Sequence, residues 1–142
     1  MMCAHNKIDA AIALTSTDDL GSSTPDGGYG SPREASQDAA LGLKVQKYGR
    51  TTGHTHGQVS GVNATMDVSY PGGTARFEGQ IVISGRGFSA GGDSGSLIVS
   101  KGLLMADRRP VGLLFAGTQT TTLANPIDVV LDRFGIRIDG GS

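Results

Sequence analysis

A chain of 142 residues with a formal charge of −1 and a pI near 6.2 is long enough to bury one core, and it carries no electrostatic footprint for nucleic acid or an anionic membrane. Its 23 glycines, absent tryptophan and 37% apolar residues suit short strands and tight turns better than a helical bundle. The lone cysteine, Cys3, excludes an internal disulfide and argues against a cysteine-based metal site, and no stretch approaches the roughly 20 apolar residues of a membrane helix.

The opening MMCAHNKIDAAIAL has a short apolar run and no basic region before it, so no signal peptide is expected. Ile8–Ser16 reads as a strand or a single helical turn. Residues 17–40 are rich in Gly, Ser, Pro and Asp and read as a surface connection between two packed units. From Leu41 the pattern turns to β. LGLKVQKY alternates Leu41, Leu43 and Val45 against polar residues, and TMDVSY alternates Met66, Val68 and Tyr70 before the turn YPGG. ARFEGQIVIS places Ala75, Phe77, Ile81 and Ile83 on one face, with Arg76, Glu78 and Gln80 on the other. SLIVS and VGLLFAG are short core strands. NPIDVVLDRFGI predicts a closing helix, with Asn125 as cap, Pro126 at the first helical position and Gly135 as the stop. Strands at turn-punctuated intervals, then one helix, predict a small closed barrel.

The most informative stretch is GRGFSAGGDSGSLIVS, Gly85–Ser100. GRGFSA matches a dinucleotide fingerprint, but that motif needs a helix to follow. Gly91, Gly92 and Gly95 would lie inside that helix at a cost of roughly 3 kcal/mol, so the reading fails. A plain turn accounts for Gly-Gly-Asp-Ser-Gly in isolation. A nucleophile loop accounts for more. There Ser94 supplies the attacking oxygen, the N–H groups of Gly92 and Ser94 form an oxyanion hole, and Asp93 turns inward to a cationic or N–H partner.

With these residues the chain resembles the trypsin-like (chymotrypsin-fold) serine peptidases, in particular the bacterial streptogrisin and α-lytic group. YGRTTGHTHGQVSGVNATM (Tyr48–Met66), PVGLLFAG (Pro110–Gly117) and LANPIDVVLDRFGI match, in the family's order, segments of its second barrel. The resemblance implies an all-β fold: the second Greek-key β-barrel of the chymotrypsin fold with a C-terminal helix, the first barrel largely missing. Residues 1–16 would be a remnant of that first barrel, 17–40 the inter-barrel connection and 41–142 the C-terminal barrel. It further implies that Asp9, in NKIDAAIAL, is the acid that orients a catalytic histidine. Phe88 would lie at the base of the primary specificity pocket, with Phe115, Ala116 and Gly117 as its wall. No acid stands at the Phe88 position, so a small or apolar side chain before the scissile bond is expected rather than Lys or Arg. Lys47 or Arg50 would pair with Asp93. Ser96 stands where most members have glycine, and reads as packing or local hydrogen bonding.

The general base is the missing part. His5 stands four residues before Asp9, too close for the separate loop that carries the family's histidine. His54 and His56 share one face of a strand, and two histidines without a third ligand read as a solvated face rather than a metal site. The expectation is a serine endopeptidase lineage acting on a peptide or protein, with no metal or cofactor and no nucleic-acid or membrane partner, inactive or very weak without its histidine. The alternatives are a non-catalytic barrel that binds peptides or a partner chain, and a half-site completed by a first barrel encoded upstream. An isolated second barrel exposes the apolar face that meets the first. Residues 1–142 are therefore expected to associate in size-exclusion chromatography, and a sharp monomer peak with cooperative melting contradicts the reading.

Overall fold

Wherever apolar and polar residues alternate between turns, the chain after Leu43 forms a strand. The computed structural model describes residues 5–141, so Cys3 lies outside the described residues. A short strand β1 (His5–Asn6) precedes β2 (Lys44–Gly49), β3 (Gly53–Tyr70), β4 (Gly73–Ser84), β5 (Leu97–Ser100), β6 (Pro110–Gly117), β7 (Thr121–Pro126) and the helix α1 (Ile127–Phe134). The sheet runs β1-β4-β3-β2-β5-β6-β7, and β4 also pairs with β7. Strands β2 to β7 thus close into a ring, antiparallel at every seam, with β1 added in parallel outside it. The fold is a single β-barrel with a C-terminal helix, as the resemblance implies.

The inward faces of the strands meet in one core of Val45, Val59, Ile81, Ile83, Phe88, Ile98, Val111, Leu114 and Ala124. A smaller cluster of Phe77, Phe115 and Leu123 sits beside it, flanked by Met66, Val68 and Ala116. Ile127 and Val130 are the buried residues of α1, and Gly135 ends it in the left-handed conformation, φ 64°.

Three local expectations change. Gln80, assigned to the polar face of β4, is fully buried. Gly79 adopts φ 73°, and the β3–β4 register shifts between Gly61 and Ala64 and again between Ala64 and Met66. This irregularity takes the side chains after it out of simple alternation. The Gln80 side chain donates to the carbonyls of Lys7 at 2.9 Å and Glu78 at 2.6 Å. Asn125 is not a helix cap. It lies in β7, and Pro126 takes the cap position. Its side chain instead accepts from the Asp9 N–H at 3.1 Å and donates to the Asp9 carbonyl at 2.9 Å. Finally, Ile8–Ser16 forms neither strand nor helix. Ile12 and Leu14, 58% and 102% exposed, have no core to enter.

The stretch 17–40 contains no helix and only a bridge from Arg33 to Gly141. It is nonetheless tied to the barrel by backbone bonds from Arg33 N–H to the Arg108 carbonyl and from Gln37 N–H to the Pro110 carbonyl, both 2.8 Å.

Ile83 is fully buried at the centre of the larger core. Ile83→Ala is expected to lower unfolding free energy by about 3 kcal/mol in urea titrations, whereas Ile12→Ala stays within about 0.5 kcal/mol.

Candidate active site

The serine loop between β4 and β5 is built around one buried carboxylate. Asp93 is 1% exposed. Its Oδ1 accepts from the backbone N–H of Thr51 at 2.7 Å and of Thr52 at 3.2 Å. Its Oδ2 accepts from the Thr52 hydroxyl at 2.6 Å and the Ala90 N–H at 3.0 Å. Burial alone pushes the Asp93 carboxyl up, but the Thr52 hydroxyl and the three backbone N–H groups outweigh it and hold it at about 2. Lys47 Nζ lies 3.6 Å from Asp93 Oδ2, with both side chains fully buried. That ammonium also donates to the Thr52 hydroxyl oxygen and, at 3.0 Å, to the Gly53 carbonyl. Burial pushes the Lys47 ammonium below its ordinary value, and Asp93 opposes the shift. Gly49 makes the arrangement possible, because a Cβ there would stand 2.4 Å from Asp93 Oδ1.

With the Asp93 side chain held inward, its neighbours face out. Gly92 adopts φ +97°, and a Cβ on it would stand 2.5 Å from the Thr51 hydroxyl oxygen, so only glycine fits. That hydroxyl donates to the Gly91 carbonyl at 2.7 Å. In a planar trans peptide the N–H points opposite to the carbonyl, so Thr51 turns the Gly92 N–H away from itself. Among the described residues neither the Gly92 nor the Ser94 N–H has a protein acceptor. The exposed Ser94 hydroxyl donates to the Phe115 carbonyl at 3.3 Å, an acceptor that cannot take up its proton. The Ser96 hydroxyl donates to the Asp93 carbonyl at 2.6 Å, which closes the turn after the nucleophile candidate.

A cleft of about 540 Å³ opens beside Ser94, with Phe115, Ala116 and Gly117 on one wall and Ser89, Ala90 and Gly91 on another. The expectation for Phe88 needs correcting. Its side chain is in the barrel core, 1% exposed, under the Lys47 ammonium at 5.6 Å from the ring centroid. Its carbonyl is held by the Thr55 hydroxyl at 2.7 Å, which turns the following residue, Ser89, to the cleft. The Ser89 and Thr122 hydroxyls bond at 2.6 Å. Beyond Leu113, β6 pairs only with β7, so Phe115–Gly117 presents an open edge to the cleft.

Asp9 is placed by the Asn125 clamp, and its carboxylate accepts from the Tyr70 hydroxyl. Burial first, then Asp9, pushes the Tyr70 phenol up to about 12. Tyr70 ends β3, and Val68 and Ser69 just before it line the Ser94 cleft, so one hairpin tip touches both Asp9 and the cleft. Arg50 does not meet Asp93. Its Nη1 lies 3.4 Å from where a Gly92 Cβ would stand. His5 pairs with Glu78. His54 Nε2 lies 2.9 Å from Gln46 Oε1 and its ring centroid 4.7 Å from that of His56. Among the described residues no group of three or more His, Cys, Asp or Glu is placed to hold a metal ion.

Sequence reasoning missed Thr51, Thr52 and Ser89. The signal was available in GRTTG, since a tight turn carrying two threonines offers the N–H and O–H donors that a buried carboxylate requires.

Residues 32–125 match the family model described as the Nal1 C-terminal domain. No curated protein sequence matches the chain. Among solved structures it is similar to the chymotrypsin of Cellulomonas bogoriensis, with a TM-score of 0.65 and 25% identity over 85% of this chain and 63% of that one. Protease A of Thermobifida fusca has a TM-score of 0.65 and 29% identity over 84% and 60%. The Nocardiopsis protease has a TM-score of 0.64 and 26% identity over 82% and 58%. These are chymotrypsin-like serine proteases, and the chain spans about three-fifths of their length.

Because the folded Asp93 is held at about 2, below the roughly 4 of a free carboxyl, its stabilisation is complete above pH 4. It is lost as pH falls from about 4 to about 2. This contribution is on the order of 2 kcal/mol and is read from urea midpoints across that range. Asp93→Asn removes it and leaves the Lys47 ammonium buried without a counter-charge, a loss of about 3 to 5 kcal/mol. Lys47→Met is expected to cost less, because the carboxylate keeps its four protein donors.

Proposed function

The chain belongs to the Nal1 C-terminal domain family, and from that premise we propose that it carries the nucleophile and oxyanion hole of a serine endopeptidase whose general base comes from another segment. The fold and lineage are those of chymotrypsin-like proteases. The observation that supports the reading is Ser94 at the mouth of the cleft, in a loop braced by the buried Asp93 carboxylate, with no protein acceptor for the Gly92 and Ser94 N–H groups among the described residues.

The chemistry follows from this arrangement. A peptide lies along the open edge Phe115–Gly117 with the side chain before the scissile bond in the cleft. Ser94 Oγ attacks the carbonyl carbon, and the oxygen that becomes negative meets the Gly92 and Ser94 N–H groups. The base takes the serine proton and returns it to the leaving amine as the C–N bond breaks. Water, activated by the same base, then releases the acid from Ser94. Asp9 orients that base, and Tyr70 withdraws from the carboxylate when the histidine arrives. The apolar wall from Phe115 to Gly117 and the hydroxyls of Ser89 and Thr122 at its foot suit a small or apolar side chain. The base itself comes from a first barrel docking against the Asp9 segment, where Ile12 and Leu14 await cover.

Ser94 is accordingly expected to react with a fluorophosphonate roughly 10⁴-fold faster in a chain extended through a first barrel than in residues 1–142 alone, with Ser94→Ala unlabelled in both. Failure of the extended chain to label at Ser94 overturns the assignment.

A further inference from the structure

The connection from β5 to β6 carries apolar side chains that the barrel does not use. Leu103, Leu104 and Met105 follow one another at its tip, 86%, 87% and 67% exposed, and the short 3₁₀ turn Leu104–Ala106 buries none of its residues. The turn is braced in that position. Arg33 donates to the Leu104 carbonyl at 3.0 Å and to the Asp107 carbonyl at 2.9 Å. The Ser100 hydroxyl donates to the Ala106 carbonyl at 2.7 Å, and Asp107 Oδ1 accepts from the Gly102 N–H at 3.1 Å. Leu104 itself is held at φ 50°, a left-handed conformation that costs any residue but glycine. These bonds hold three large apolar groups in solvent, where a bare apolar cluster marks a contact surface.

The charges around the tip define what it meets. Within the connection, Lys101, Arg108 and Arg109 stand against the single carboxylate of Asp107. That carboxylate is taken up by Gln46, the Gly102 N–H and, at 3.7 Å, Arg108. The Lys101 N–H donates to the Lys44 carbonyl at 2.8 Å, and Lys44, His56 and Lys101 line one shallow depression with no acid in its wall. The overall charge of −1 conceals this local excess of cations. A stable protein interface draws on about 20 residues a side and is depleted of lysine. A lipid interface needs no matching shape: acyl chains close around an apolar point, and anionic headgroups meet the cations whose stems flank it. We propose that Leu103, Leu104 and Met105 insert into an anionic lipid surface, with Lys44, Lys101 and Arg108 on its headgroups. The tip follows the end of β5 and Ser94 precedes its start, so insertion at one end of the strand leaves the serine loop at the other.

The test is co-sedimentation of residues 1–142 with phosphatidylcholine vesicles, either pure or about one-third phosphatidylserine. Partition onto the anionic vesicles is expected to be about tenfold stronger and to weaken with added salt. Leu103→Gln combined with Met105→Gln, checked for unchanged melting, is expected to lower it about tenfold or more. Lys101→Gln combined with Arg108→Gln is expected to remove the preference for anionic vesicles. Ile12→Gln combined with Leu14→Gln, which removes the other exposed apolar pair, is expected to leave partition unchanged. The chain has no tryptophan, so Leu103→Trp reports on the tip alone, and its emission is expected to move to shorter wavelength on anionic vesicles. No partition, equal partition onto neutral vesicles, partition that survives the Leu103 and Met105 substitutions, or an unmoved Leu103→Trp emission each overturn the proposal. Tip-dependent binding to polyglutamate in place of vesicles also overturns it and assigns the tip to an acidic protein surface.

Discussion

The geometry around Ser94 depends on a buried ion pair. Lys47 and Asp93 are each fully out of solvent, and neither charge could stay there alone. The Thr52 hydroxyl stands between them, accepting from one and donating to the other. Burying both charges costs about as much as their attraction returns, so such a pair contributes little net stability compared with apolar residues of the same size. What it supplies is a unique position for one side chain. With Asp93 fixed beneath the end of β2, its neighbours Gly92 and Ser94 lie exposed on the outer side of the loop.

The sequence revealed the barrel more fully than the site. Period-two alternation marked β2, β4 and the second half of β3, the continuous runs marked β5 and β6, and Gly135 marked the end of α1. These signals survive because a closed ring with one interior obliges each strand to send alternate residues inward. The errors occur where a local irregularity overrides the period. The shifts around Gly79 carry Gln80 inside, and the amide of Asn125 is drawn from capping to a chain segment distant in sequence. Phe88 was placed one position too far into the cleft, because its ring fills the space beneath Lys47 and its successor takes the wall. The cradle formed by Thr51 and Thr52 depends on loops 41 and 42 residues apart meeting, which no local pattern reports.

The barrel and the N-terminal segment are held by different physics. The ring satisfies its own hydrogen bonds and encloses its own core. Lys7 and Asp9 are instead held by two buried amide side chains: the Gln80 amide nitrogen donates to the Lys7 carbonyl, and Asn125 both accepts from the Asp9 N–H and donates to the Asp9 carbonyl. Buried amides without partners would be costly, so their presence specifies where this stretch lies. The apolar residues just after it are left in solvent. The segment is therefore anchored to the barrel at one end and uncovered at the other.

In the proposed peptidase, proton transfer and stabilisation of the oxyanion draw on different groups. A serine hydroxyl at neutral pH holds its proton unless a base is adjacent, and the Phe115 carbonyl is not one. There the Gly92 and Ser94 N–H groups would act by orientation alone, and the loop that carries them is braced by the hydrogen bonds of Asp93 and Thr51 and by the close approach of Gly49. Removing the base leaves that orientation unchanged. The contacts that brace the loop all lie within the barrel, so the proposed hole does not depend on where the base comes from.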